Sequence, residues 1–393
     1  MYKTTKPITS GRNGIQKAKG IAVVNGNQVR FDSFSVEQNG FSAADSFTLT
    51  LPFFVKDIQS GETILANGPD FESVLIDTDS ITVALYVGFT DKASPSTSDL
   101  TQLMDGTMDT AEWTFDRTGG EKVTLHGRNA VGKMLDTKIT EKYPNLTASA
   151  IATQIANNHS LTPVVTATTT LAGTYYNQQG CTLGRETSEW DLLLYLAKQE
   201  NYLVRVNGTK LLFGTYDTVT NYVTGSSVAG MEYDATYECW VMPYTWGYDI
   251  ETLRIERSPH AARNIVVEVI TYDKNKKHRI VEKATSTTNQ STKIADQIGE
   301  REKYTVTKVI PGLTRAQAQN MAQQILDQLS RTQLIGQMTC AGNTSMAIDR
   351  QIELYGVGLG LSQPYYLNRV EHQFSLQTGY QIDASFSSQF YYS

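Results

Sequence analysis

The segment WTFDRTGGEKVTLHGRNAVGKMLDT, Trp113 to Thr137, contains the change of pattern on which the fold turns. Trp113 and Phe115 on one side of Gly119-Gly120, and Val123 and Leu125 on the other, occupy every second position, the period of two strands joined by a glycine turn. The alternation stops at Gly127, where a strand closes before the chain reverses. If Gly127 has a positive φ, Gly127→Val is expected to hinder folding. From about Met134 the character changes.

Toward the N-terminus the chain keeps the strand pattern. IAVVNGNQVRFDSFSVEQ, Ile21 to Gln38, reads as a hairpin around Asn25-Gly26, a dipeptide suited to the positive φ angles of a type I′ turn. SFTLTLPFF and ITVALYVGF repeat the theme, and five or six short strands without a confident helix indicate a β-barrel or sandwich over residues 1–133. Toward the C-terminus, LTASAIATQIANN sets Ala148, Ile151, Ala152 and Ile155 on one helical face behind a Thr147 cap. In TSEWDLLLYLAKQENY, Thr187 or Ser188 caps a second helix with Asp191 in its first turn, and a hairpin around Asn207-Gly208 follows. Residues 134–216 therefore read as a small α/β insertion. Residues 217–393 return to β structure: a hairpin with its turn at Lys274 to Lys277, and three alternating C-terminal stretches. One helix over 314–334 interrupts them, with Thr314 and Gln317 as its capping box. The expected fold class is mainly β (α+β).

Composition excludes several functions. Of 393 residues, 40% are hydrophobic and 19% charged, a balance that is neither disordered nor membrane-spanning, and the length suits two to four domains. No stretch reaches the ~18 apolar residues of a membrane span, and the N-terminus lacks a signal-peptide core. A soluble chain made in the cytosol, without stable membrane insertion, is expected. Net charge −6 argues against a dedicated nucleic-acid binder. Three widely spaced cysteines, Cys181, Cys239 and Cys340, fit neither a disulfide framework nor a zinc site. The 21 tyrosines favour half-buried strands and interfaces.

Chemistry-bearing motifs are missing. There is no Gly-x-Ser-x-Gly elbow, and His126, His159, His260, His278 and His372 form no metal-binding spacing, so each reads as a strand-end or surface histidine. The glycines at 356, 358 and 360 follow a strand but lead into SQPYY rather than a phosphate-binding helix. Glu232, Asp234 and Glu238, among Tyr233, Tyr237 and Trp240, are the best carboxylates for a glycan-cleaving pair or a sugar-binding surface. The simpler reading makes them outward positions of a β segment whose aromatics pack. No catalytic, cofactor-binding or metal-ligating residue is assigned, and no cofactor is expected.

Read in order, the motifs resemble a family. VTLHGRNAVGKMLDT, Val123 to Thr137, is similar to the strand, Gly-Arg-Asp and Leu-Asp segment that closes the first barrel in baseplate hub proteins of contractile-tailed bacteriophages. These are the late control protein D and Mu-type hubs, related to the N-terminal region of type VI secretion spikes. Asn129 stands where that family has Asp. TSEWDLLLYLAKQENYLVRVNGTKLLFG resembles the insertion between the family's barrels. NIVVEVITYD, the Ala/Gln helix after Pro311-Gly312-Leu313, and RQIELYG with YYLNRVEHQFSLQTGYQIDASF resemble its second half.

The resemblance implies two tail-tube-like β-barrels with the α/β insertion between them. It also implies a homotrimer whose six barrels form a pseudo-sixfold ring around a channel. Such a ring joins a threefold central spike to the sixfold tail tube or its initiator. Tape-measure and baseplate proteins would be further partners, and DNA would pass only transiently. The chain would be a structural, non-enzymatic virion component assembled in the host bacterial cytoplasm. No fused C-terminal spike follows Ser393, so the expectation is a phage or phage-derived tail with its spike on a separate chain. A receptor- or glycan-binding adhesin is the competing reading, and a glycan-cleaving enzyme acting through Asp234 a third.

Overall fold

A computed structural model describes residues 17–388 apart from 41–42, 57–62, 117–119, 140–142, 144–145, 170–186, 216–218, 220–230, 235–238, 258–264, 274–277, 286–303, 311–312, 314, 331–333 and 359. The mainly-β expectation holds. The first part of the chain forms β1 (Lys17–Val24), β2 (Asn27–Val29), β3 (Ser33–Asn39), β4 (Ser46–Pro52), β5 (Phe54–Lys56), β6 (Thr63–Leu65), the short helix α1 (Phe71–Asp77), β7 (Thr82–Thr90), β8 (Thr101–Asp116) and β9 (Gly120–Arg128). Asn25 and Gly26 turn β1 into β2 with φ of 49° and 78°, as the dipeptide requires.

The middle part forms α2 (Val131–Asp136), α3 (Ala148–Asn158), β10 (Thr162–Val165), α4 (Glu189–Glu200), β11 (Leu203–Asn207) and β12 (Lys210–Gly214). Both helix starts are closed by the expected side chains. Thr147 Oγ1 accepts from the Ala150 amide at 3.3 Å, while Ser188 Oγ accepts from the Asp191 amide at 3.1 Å and Asp191 accepts in return from the Ser188 amide. Ile151, Ile155, Trp190, Leu193 and Phe213 close a core between these helices and the sheet β10-β12-β11.

The last part contributes β13 (Glu232–Asp234), β14 (Cys239–Thr245), β15 (Ile250–Arg257), β16 (Ile265–Asp273), β17 (His278–Thr285), β18 (Tyr304–Val309), α5 (Arg315–Ser330), β19 (Leu334–Ala341), β20 (Gln351–Tyr355), β21 (Pro364–Ser375) and β22 (Gly379–Ser387). β16 and β17 form the expected hairpin, whose turn at 274–277 lies outside the described residues, as does Thr314 of the capping box. With β18 they make a separate three-stranded sheet. The apolar face of α5 needs such a cover, and Ala318, Ala322 and Leu326 bury against Val267, Val269 and Ala284.

Among the described residues, the first and last parts share the largest sheet, of 14 strands. Each supplies a run of six: β3-β4-β9-β8-β7-β1 in the first part and β15-β19-β22-β21-β20-β14 in the last, with β2 and β13 as short outer strands. One hydrophobic core serves both runs, with Phe34 and Val36 of β3 packed beside Val370 and Phe374 of β21. The Phe34 and Phe374 rings stack at 5.4 Å.

Gly127 is glycine for a reason other than the one expected. It is absent from the residues with positive φ. A Cβ there would lie 2.2 Å from the Thr107 carbonyl oxygen and 2.6 Å from the Phe47 ring. Close packing of β9 against β8 and β4, not backbone conformation, excludes a side chain.

Candidate assembly surface

Strand β21 is the joint between the two runs. Its N-terminal residues Pro364 to Tyr366 pair with β20, and from Arg369 to Ser375 the same edge pairs with β3. The pairing with β22 on its other edge carries a bulge between Leu367 and Arg369, where the partner changes. Asn368 at that bulge accepts from Ser387 Oγ at 3.1 Å. Arg369 Nη2 then ties the strands, donating to Glu37 of β3 at 2.5 Å and to Glu371 at 2.7 Å. Its hydrogen bond holds the Glu37 carboxyl below the usual carboxylate range.

The strand period sends one set of side chains into the shared core and the other to the opposite face, which is polar across the joint. One row reads Thr252, Thr339, Asp383, Glu371, Glu37, Ser46, Arg128 from β15 to β9. The next but one reads Gln381, Gln373, Ser35, Thr48, His126, Thr110 from β22 to β8. Charges on this face are cross-linked: Arg128 donates to Asp109 at 2.7 Å and to Asp136 at 2.9 Å, and Asp383 accepts from Thr339 at 2.6 Å. A cleft of about 350 Å³ indents it, lined by Thr252, Arg254, Gln337, Thr339, Arg369 and Asp383 among others.

Behind the joint, a buried polar junction holds the α/β part to both runs. Arg205 of β11 lies 3.6 Å from Asp349, in the connection between β19 and β20, and both side chains are buried. Asp45, before β4, accepts from the Asn39 amide at 3.0 Å and from Asn129 Nδ2 at 3.1 Å. Burial pushes the Asp45 carboxyl up, Arg205 opposes that, and Asp349 adds to it. Asn129 Oδ1 also accepts from the Val131 amide at 3.1 Å. At this position an amide donates to the Asp45 carboxylate where a further acid would be repelled.

The residues singled out from sequence are dispersed. His126 Nδ1 lies 3.1 Å from Thr48 Oγ1 on the polar face, and His159 Nε2 lies 2.5 Å from Glu189 at the end of α3. His372 is not at a surface or strand end. It is fully buried on β21, its Nδ1 2.7 Å from the Tyr380 hydroxyl, and burial holds its pKa down at about 4. His278 opens β17 and His260 lies outside the described residues. Glu232 and Asp234 are on β13, paired with β14, while Glu238 and Cys181 lie outside the described residues. Cys239 begins β14. Cys340 is buried, which pushes its thiol up to about 12. The Gly356 to Gly360 stretch leads into β21, a strand, as the sequence indicated. Among the described residues no group of three or more His, Cys, Asp or Glu gathers to hold a metal ion, and no helix is long and apolar enough to cross a membrane. Sequence reasoning missed Asp45, Arg205, Asp349 and Arg369, which carry no local motif.

No protein-family model matches the sequence, and no curated protein matches it either. Solved structures do match. The tail protein from Neisseria meningitidis MC58 is 14% identical with a TM-score of 0.62, over 95% of this chain and 97% of that one. The 43 kDa tail protein of prophage MuSo2 from Shewanella oneidensis is 12% identical with a TM-score of 0.64, over 94% and 98%. A chain of the lidded Francisella PdpA-VgrG complex is 9% identical with a TM-score of 0.55, over 96% of this chain but 53% of that one. Two paired six-stranded runs, an α/β part between them and full-length likeness to these structures make the same point: the chain has the fold of bacteriophage tail proteins, as the order of its motifs implied.

Proposed function

We propose that this chain is a structural, non-enzymatic hub of a phage tail baseplate. Three copies form a pseudo-sixfold ring that seats a threefold spike at one end, starts the sixfold tail tube at the other, and lets DNA pass. The observation that carries this reading is the pair of six-stranded runs fused through β21 and β3 into one sheet whose face opposite the core is polar across the joint. A chain carrying two similar units gives a threefold assembly six similar positions, which is what an adaptor between symmetries needs. In this reading the polar face lines the channel. Its hydroxyls, amides and internally paired charges offer phosphates little to hold, and three copies at −6 carry about −18.

The domain division belongs to the same proposal: a first tube-like unit over 1–133, the α/β insertion over 134–216, and a second unit over 217–393. The middle core, built from residues between Val131 and Phe213, supports it. Spike, tube-initiator, tape-measure and other baseplate proteins are the partners, and the site of action is the virion tail, assembled in the host cytoplasm. Electron microscopy of the purified protein tests the reading. Class averages down the symmetry axis are expected to show a threefold ring with six lobes and a hole of roughly 20 Å, wide enough for a duplex judged by its groove dimensions. A compact trimer without lumen or paired lobes overturns it.

A further inference from the structure

The small sheet β17-β16-β18 is covered on one face only. Alternation along β16 turns Val267 and Val269 under α5, so Glu268, Ile270 and Tyr272 point the other way. The strand registers build this second face in rows: Tyr272 beside Arg279, Ile270 between Val281 and Val309, and Glu268 beside Lys283. Its apolar residues take no part in the core that α5 closes. Val309 is 72% exposed and Tyr272 49%. Among the described residues, α5 is the only element outside the sheet in extensive contact with these strands, and it lies on the opposite face. An apolar sheet face is stable when another layer covers it. Of the charges here, Glu268 is neutralised by Lys283 at 2.5 Å, while Arg279 is exposed and has no acidic partner among the described residues.

We propose that this face seats one amphipathic helix of a partner protein, its apolar stripe across Ile270, Val281 and Val309 and an acidic side chain at Arg279. Shape selects a helix. The outer strands β17 and β18 stand two strand spacings apart, about 10 Å, the width of one helix with its side chains. Along β16 the face runs about 20 Å, the length of a helix of roughly 13 residues. The 16 residues of α5 already occupy the opposite face in this way, so an incoming helix completes a third layer. Size excludes a second copy held by this face alone: its footprint of roughly 200 Å² is about a quarter of what each partner buries in a stable joint between folded proteins. A helix laid into an apolar groove needs only a single stripe of anchors. Charge then selects among helices, since an uncompensated guanidinium beside the apolar rows favours an acid on the incoming stripe and rejects a base. The inference goes beyond the hub reading and does not depend on how copies of the chain join.

The test uses the full chain and a labelled synthetic helix with leucines along one stripe and glutamates at one end, read by fluorescence anisotropy. Its twins carry lysine for glutamate, or the same residues in scrambled order. The parent is expected to bind the glutamate helix and not the scrambled one. Val309→Asp should weaken that binding about tenfold or more without lowering the melting temperature, because the side chain it replaces lies mostly in water. Arg279→Glu should weaken the glutamate helix by a similar factor and tighten the lysine twin, a reversal that general loss of structure would not produce. Binding that ignores both substitutions, or no binding of either charged helix, overturns the proposal. A parent that self-associates in sedimentation until Val309→Asp stops it assigns the face to a second copy. A parent that floats with anionic phospholipid vesicles through Arg279 and Tyr272, and binds no helix, assigns it to a membrane. Each of these results leaves the hub reading standing, since neither substitution touches the large sheet.

Discussion

His372 and Asn129 show how single residues record their surroundings. His372 is neutral in the folded chain because burial lowers its pKa from 6.5 to about 4. The unfolded chain takes up that proton from about pH 6.5 downward, the folded chain only near 4. Its contribution is therefore complete above pH 6.5 and is lost as the pH falls toward 4, by about 3 kcal/mol in all. Urea unfolding at pH 7 and pH 4.5 is expected to show a smaller loss of stability in His372→Gln than in the parent; equal losses would mean that the histidine is not held neutral. Asn129→Asp should cost about 1–3 kcal/mol at pH 7, since it removes the donor to Asp45 and sets two carboxylates together. Two carboxylates sharing one site hold a proton more readily than either alone, so the deficit should shrink as the pH falls. Thermal melts at pH 7 and pH 5 measure both effects, and a variant as stable as the parent at pH 7 would remove the junction's role.

At the scale of elements, β9 packs so closely against β8 and β4 that Gly127→Val should cost about 1–3 kcal/mol through overpacking, with Thr124→Val on the polar side of the same strand nearly neutral. A melting temperature unchanged by Gly127→Val would mean that Phe47 does not lie against this strand. Elements with local signatures were legible in the sequence. Ser188 with Asp191 announced α4, Thr147 announced α3, and the Asn-Gly dipeptides at 25 and 207 announced two hairpins. What defines the site was not legible. Arg369 meets Glu37 across 332 positions of chain, and the exchange of β20 for β3 along one edge of β21 follows from tertiary packing rather than any periodicity. Arg205 and Asp349 are polar residues at buried positions, where hydrophobic patterning carries no signal. The hairpin β16-β17 was legible as a hairpin, but its alternation does not say which sheet it joins.

For the molecule as a whole, the ring reading makes the polar face the wall of a passage, and its charge can be changed without touching the core. Ser35, Thr124 and Gln337 lie on this face on β3, β9 and β19, Thr124 beside Glu112 of β8 and Gln337 beside Arg254 of β15. Replacing all three with lysine adds three cations per chain and about nine per ring, close to the number of phosphate contacts made by proteins that hold DNA firmly. The parent ring is expected to retain no duplex at 50 mM salt, because its acids and arginines already satisfy one another. The triple variant should retain it, with an affinity that falls roughly 10³- to 10⁵-fold between 50 and 200 mM salt as condensed counterions are released. Linear duplex, which can thread, should be held longer at matched salt than closed circular duplex, which cannot. If the lysines bind both forms equally, the polar face lies on the outside of the assembly and the channel must be sought on another surface. If they bind neither, the face is covered by protein in the assembled ring.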